Sequence, residues 1–219
     1  MLRFIGSSHD VSIFGRHYKT TTIDYMKNKI IEYIEKFVKL TDEDNQLFSS
    51  CFNEVKIKKR QFIVQPNFTT KHRNYVLKGA FRAYVVTNEG QEHTITFAIE
   101  DWWITDYNSY IFQEPATMFV VALEDSIILQ LDYSKEQELK QQNHKFETFF
   151  RIVAERGLAF QQRRIISNLT LTAEERYEYF VSKYPQICQR VPQYALASYL
   201  GMTTEFLSRI RNKRVSKKS

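Results

Sequence analysis

The chain has 219 residues, of which 43% are hydrophobic and 15% aromatic, and its 31 Lys and Arg against 25 Asp and Glu leave a net charge of +6. It is long enough for one large or two smaller packed domains. No apolar run reaches the roughly 18 residues of a membrane span, and no signal-peptide pattern opens it. Cys51 and Cys188 are too few and too far apart for a four-cysteine zinc or iron–sulfur site, and they suit a reducing cytoplasm.

Residues 1–23 show no clean period and read as an extension of unassigned structure, with Met26 as an alternative start. From Asp24, the apolar residues Ile30, Ile31, Ile34, Phe37 and Val38 follow helical spacing. Thr41, followed by Asp42, Glu43 and Asp44, is the cap and acidic first turn of a second helix. From Val55 to Tyr133 the chain reads as short strands. Asn88-Glu-Gly90 turns a hairpin, and Glu124-Asp125 turns another. In the strand Glu92–Ile99, Thr94, Thr96 and Ala98 fall on one face and Ile95, Phe97 and Ile99 on the other. No helix of crossover length separates the strands, so the sheet should be an antiparallel sandwich or barrel.

After Tyr133 the period becomes helical again. Ser134 can cap a short helix to Leu139, and a long helix runs from about Lys145 to Ile166. Its stripe Phe146, Phe150, Val153, Gly157 and Phe160 has the 4-3-4-3 spacing of a coiled coil, a dimerisation face, although the same stripe can pack on the strands. Gly157 within a helix suggests close approach of another helix. A linker at 168–172 precedes a capping box of Thr172 and Glu175, which opens a helix ended by Pro185. The residues from Thr172 to Asn212 form a three-helix unit. Its last part, Val191–Asn212, reads as helix, turn, helix. Ala195, Leu196 and Leu200 are apolar on the first helix, Gly201 ends it, and Thr203 caps a second helix that buries Phe206, Leu207 and Ile210.

The charge is uneven. Residues 1–150 carry 18 Lys and Arg against 20 acids, and residues 151–219 carry 13 against 5. A basic end on a near-neutral body is the footprint of a polyanion-binding module. The residues placed to contact DNA are Gln193, Thr203, Thr204, Glu205, Ser208, Arg209, Arg211, Lys213 and Arg214. Arg209 suits guanine and Glu205 cytosine, whereas Thr203 and Ser208 suit phosphate.

Two lead helices, a strand domain, one long helix and a helix-turn-helix resemble, in that order, the catabolite-activator/FNR superfamily of bacterial transcription regulators. The resemblance covers roughly residues 24–212. It is closest at Thr203-Thr-Glu-Phe-Leu-Ser-Arg209, with further likeness at Gly79-Ala-Phe-Arg-Ala-Tyr84, at Phe97–Asp106 and at Ala122–Ser126. It implies an α+β chain with an antiparallel β jelly-roll sensor domain at 24–143, a dimerisation helix and linker at 144–168, and an all-α helix-turn-helix domain with a basic tail at 169–219. The implied partners are double-stranded DNA, a second copy of the chain and RNA polymerase.

Two departures narrow that expectation. Relatives that bind cyclic AMP hold its ribose with a glycine–glutamate pair and its phosphate with an Arg-Ser or Arg-Thr pair. Between Asp101 and Val121 this chain has no Arg, Lys or Gly. Phe97, Trp102, Trp103, Asp106, Tyr107 and Tyr110 would instead line an acidic, aromatic pocket, so cyclic AMP is not expected and the effector is left open. No metal or cofactor is expected, because isolated histidines such as His72, His93 and His144 are more often structural than ligands. The second departure is at the end, where Lys213–Ser219 is too short for a β-hairpin wing and would act as a basic tail. An enzyme reading lacks any catalytic spacing around Glu100, Asp101, Asp106 and His93. The alternative left open is a ligand- or protein-binding barrel without a DNA output.

Overall fold

The computed structural model describes residues 22–216, with their side chains over 28–213. The expected N-terminal extension up to position 21 and the last three residues of the basic tail lie outside the described residues. Two helices, α1 (Thr22–Ile34) and α2 (Asp42–Ser50), lead into eight strands: β1 (Phe52–Ile57), β2 (Phe62–Val64), β3 (His72–Lys78), β4 (Phe81–Val86), β5 (Glu92–Ala98), β6 (Trp103–Ile104), β7 (Phe119–Ala122) and β8 (Ser126–Asp132). A short helix, α3 (Tyr107–Phe112), interrupts them. Then come α4 (Tyr133–Gln142), α5 (His144–Thr170), α6 (Ala173–Lys183), α7 (Pro185–Arg190), α8 (Gln193–Leu200) and α9 (Thr204–Ser216).

The strands form two four-stranded antiparallel sheets, ordered β1-β8-β3-β6 and β2-β7-β4-β5. Alternation along each strand sends neighbouring residues to different cores. On β3 and β8, Val76 and Ile128 point between the sheets, where they meet Phe81, Val120 and Ile104. Tyr75, Leu129 and Leu131 point outward, beneath Ile30 and Ile34 of α1, Phe48 of α2 and Phe146, Phe149 and Phe150 of α5. The second sheet packs differently. Phe97 of β5 and Ile99 just beyond it leave the barrel and join the core of α6–α9.

One glycine is dictated by this arrangement. Gly79 lies at φ +117°, and a Cβ there would fall 2.4 Å from that of Ser126. Its N–H donates to Glu100 at 2.8 Å.

Several expectations change. Strict alternation on β5 fails at a bulge, where Ala83 pairs with Thr96 but Tyr84 pairs with Thr94. The extra residue turns Ile95 inward, so it packs with the inter-sheet core and not with Phe97. The cap of α4 is Asp132, whose carboxylate accepts from Ser134 N–H at 2.9 Å, and not Ser134 itself. Helix α5 continues to Thr170, so most of the expected linker is helical. Pro185 ends α6 but also opens α7, giving four helices where three were expected. Among the described residues of this chain, a Cβ at Gly157 would meet nothing within 4 Å.

Asp44 ties the lead helices to α5. With Thr41 it forms a reciprocal capping box at 3.1 and 3.2 Å. Its carboxylate also accepts from Asn143 Nδ2 and Lys145 Nζ, both at 2.8 Å. The bonds from Lys145 and from the Thr41 N–H hold its carboxyl down to about 2. A carboxyl depressed on folding stabilises the protein above the ordinary Asp value of about 3.9, and that contribution is lost as pH falls toward the folded value. Asp44→Asn is expected to lower stability by about 1 kcal/mol at neutral pH, because water screens the pair. Urea unfolding at a series of pH values should show the gap closing between about pH 4 and pH 2.

Candidate nucleic-acid interface and its attachment to the barrel

The turn between α8 and α9 is built by local bonding. Gly201 is left-handed at φ 67° and ψ 42°, its N–H donates to Ser198 O at 3.2 Å, and Met202 N–H donates to Ala197 O at 3.0 Å. This is a Schellman end, which a non-glycine residue at Gly201 would strain. Thr203 then caps α9, its hydroxyl accepting from Phe206 N–H at 3.2 Å. Leu207 and Ile210 bury the inner face of α9 against Ala195, Leu196 and Leu200.

The expected DNA-contacting residues fall on one helix and its approach. Glu205, Arg209 and Lys213 are exposed on α9, with Thr204, Ser208 and Arg211 half-buried beside them. Gln193 is exposed at the start of α8. Glu205 is drawn into the helix start: its own N–H and the Thr203 hydroxyl hold its carboxyl below the usual range. The Arg209 guanidinium lies 5.2 Å over the Phe206 ring. Lys213 pairs with Glu174 of α6 at 3.2 Å. Lys213 and Arg214 are on α9, which runs to Ser216, so they do not begin a separate tail.

The helical unit is fastened to the barrel at the edge strand β5. The Thr94 N–H donates to Ser198 Oγ at 2.8 Å, and Ser198 Oγ donates to Glu92 O at 3.1 Å. Arg164 of α5 donates to Ile95 O, to Thr94 O at 3.0 Å and to Tyr199 O at 3.3 Å. At the opposite corner, Arg190 at the end of α7 grips both Glu100 oxygens at 2.6 and 2.9 Å and also reaches Glu124. Burial works against the Glu100 charge, but Arg190 and the Gly79 N–H outweigh it and hold the carboxyl below its usual range. The same two acids push the Arg190 guanidinium upward. Sequence reading missed this corner, although Glu100 and Glu124 lie in stretches it had singled out.

The six residues expected to line a barrel pocket do not share one cavity. Phe97 faces Tyr199 at 5.3 Å. Trp102 stands edge-on to Phe160 and Tyr184, at 5.5 and 5.8 Å. Adjacent residues on extended backbone diverge, so Trp103 goes the other way, to Tyr75 and Phe149. Trp103, Tyr107 and Tyr110 do surround one group, the buried guanidinium of Arg73 on β3, at 5.4–5.7 Å. Arg73 is paired at 3.1 Å with Glu136, whose side chain is 0% exposed and which also meets Lys140 and accepts from the Tyr110 hydroxyl.

Asp106 is an N-cap. Its carboxylate accepts from Ser109 N–H at 3.2 Å, Thr117 N–H at 2.9 Å and Met118 N–H at 3.3 Å. The backbone donors of this segment are thus occupied by the chain's own acid, and the neighbouring cation is matched by Glu136. These residues do not fit a cyclic phosphodiester, which needs both a free cation and free donors.

The expected dimerisation stripe also needs correction. Phe146, Phe150 and Val153 are buried in their own protomer, Phe160 is half-buried against Trp102 and Tyr184, and Gly157 is exposed with no partner side chain. The large apolar residues that α5 leaves outside are Leu158, Ile165, Ile166 and Leu169, at 71%, 59%, 52% and 80% exposure. Leu158, Ile165 and Leu169 make, with Ala154 and Gln161, a second 4-3-4-4 stripe on an adjacent face, about 100° round the helix.

Replacing Arg190 with Met should remove the cation held between Glu100 and Glu124 and cost about 1–2 kcal/mol of stability. Hydrogen exchange is expected to rise most at residues 185–200 and 92–96, with the core strand β8 unchanged.

The profile of the cyclic nucleotide-binding domain family matches residues 54–143. No curated protein matches the chain. FixK2 from Bradyrhizobium japonicum shares its fold with a TM-score of 0.67 at 15% identity, over 76% of this chain and 86% of that one. The c-di-GMP-responsive global regulator CLP of Xanthomonas campestris gives 0.62 at 15% identity, over 81% and 93%. A crp/fnr-family transcriptional regulator from Eubacterium rectale gives 0.62 at 16% identity, over 81% and 85%. Residues 54–143 are thus similar to the cyclic nucleotide-binding domain family, and the chain shares the fold of FixK2, CLP and the crp/fnr-family regulator.

Proposed function

We propose that this chain is a homodimeric, sequence-specific DNA-binding transcription regulator whose barrel does not respond to cyclic AMP. The observation that carries this reading is the helix-turn-helix. A Schellman glycine and a Thr cap set two short helices, and the second offers Thr204, Glu205, Ser208, Arg209 and Arg211 on its outer side. These side chains match groups that base edges and phosphates present in a major groove. The surplus of 13 Lys and Arg over 5 acids in residues 151–219 supplies the field that draws in a polyanion. Arg209 is the residue best suited to read guanine. Glu205 reads less than its chemistry allows, since it also serves the start of its own helix.

Pairing is assigned to the outer stripe of α5, where Leu158, Ile165 and Leu169 give heptad-like apolar contacts without drawing on the protomer core. A two-fold pair would present two copies of α9 to successive major grooves, about 34 Å apart, so the operator should be a palindrome. The filled donor set around Asp106 and the paired Arg73 support a barrel that works without cyclic AMP.

A gel shift on the gene's own upstream region tests the reading directly. Arg209→Ala should cost about 1–3 kcal/mol on the operator and relax the preference at one base position. Equal loss on every sequence would make Arg209 a phosphate contact. Ile165→Glu should dissociate the pair in sedimentation velocity, whereas Phe160→Ala should leave it intact. The opposite result would return pairing to the inner stripe.

A further inference from the structure

Between the far half of α5 and the helical unit lies a cleft open to solvent. Three arginines enter it, Arg163 and Arg164 from α5 and Arg176 from α6. The arginines that pair with acids among the described residues are Arg73, Arg82, Arg151 and Arg190. The three in the cleft have no such partner. Arg164 satisfies its two Nη groups on backbone carbonyls, but its Nε–H is buried with no hydrogen bond. Burial also pushes the Arg164 guanidinium downward, since no acid offsets it. Arg176 donates only to carbonyls, Leu200 O at 2.9 Å and Leu171 O at 2.8 Å. Arg163 is exposed at the mouth. Grouped, partly desolvated cations without acids repel one another, and an anion relieves that cost.

The rest of the lining is mostly aromatic, with Ser167, Asn168 and Leu200 beside it. Phe160, Tyr184, Phe180 and Tyr199 form a ladder with ring centroids 5.1–6.1 Å apart, and Tyr179 closes the mouth. Flat apolar walls of this kind take a flat ring. The charge of the ligand follows from the donors left over. Arg164 and Arg176 spend most of theirs on the backbone, so only Arg163 keeps a whole fork. A single free fork suits the two oxygens of a monoanionic carboxylate better than a phosphate dianion.

We propose that this cleft is a binding site for a small aromatic carboxylate, held by Arg163 and Arg164 with its ring on the aromatic wall. An occupant would touch α5, α6 and α8 together, and through Arg164 the edge of β5.

Full-length protein provides its own reporter, because Trp102 contacts Phe160 and Tyr184 of the wall. Benzoate and 2-naphthoate serve as probes in calorimetry and in tryptophan quenching, with acetate as the anion lacking a ring and benzamide as the ring lacking charge. The expected result is one site per chain, with at least one aromatic carboxylate binding about tenfold more tightly than both controls. Arg163→Gln and Tyr179→Ala should each weaken it several-fold while leaving thermal unfolding unchanged. Hydrogen exchange should show protection at residues 160–184. The proposal is overturned if neither probe outbinds acetate and benzamide, if both variants bind as the parent does, or if protection falls on the barrel segment 103–118.

Discussion

The structure depends on how the edge of β5 is closed. An edge strand presents N–H and C=O groups that must find partners. Here the bulge at Ile95 turns the backbone so that Thr94 N–H meets Ser198, and the carbonyls of Thr94 and Ile95 meet Arg164. Leaving such a group unpaired when buried would cost about 1–3 kcal/mol each. Closing the sheet and attaching the helical unit are therefore one interaction. Phe97, thrown outward by the same strand, and Ile99 just beyond it supply the apolar half of the joint. A change that loosens α8 must also expose the sheet edge.

Charge is distributed to the same end. Inside the barrel region each buried cation has its acid: Arg73 has Glu136, and Arg82 has Glu92. Asp106 in turn uses the amides of its own segment. The charges of this region are thus matched by acids of the chain itself. At the joint, Arg190 is likewise matched by two acids. Uncompensated cations collect instead along the far half of α5 and on α9, which are the two places where an outside anion can finish the pairing.

What could be read from the sequence was whatever is decided locally. The Thr41 cap, the Thr172 capping box and the Gly201 turn need only residues within one helical turn of one another, and all three form as read. Two kinds of feature escaped. Helix α3 is six residues long, and its cap, Asp106, also binds Thr117 and Met118 far along the chain, so in sequence it looks like a loop. The pocket residues dispersed because Trp102 and Trp103 are neighbours on extended backbone and must diverge. The ion pairs Arg73–Glu136 and Arg190–Glu100 join residues 63 and 90 positions apart, a separation that no local pattern encodes.

The misread stripe on α5 has a different cause, and it bears on how the helix works. The helix carries two apolar stripes, and periodicity alone cannot say which one faces out. Phe146, Phe149, Phe150 and Val153 are large and come early, so they pack into the barrel side of the core. Beyond Ala154 the core ends, and the exposed apolar residues Leu158, Ile165 and Leu169 begin. One helix thus serves the protomer with its first half and leaves an apolar seam on its second. That seam runs beside Arg163, Arg164 and Ser167, which face the opposite way into the aromatic cleft. Pairing along it would fix the distance between two helical units at the end where they are attached. The rigid barrel would hold the near end of α5, so any shift in the cleft would act on a short lever between the seam and the β5 joint.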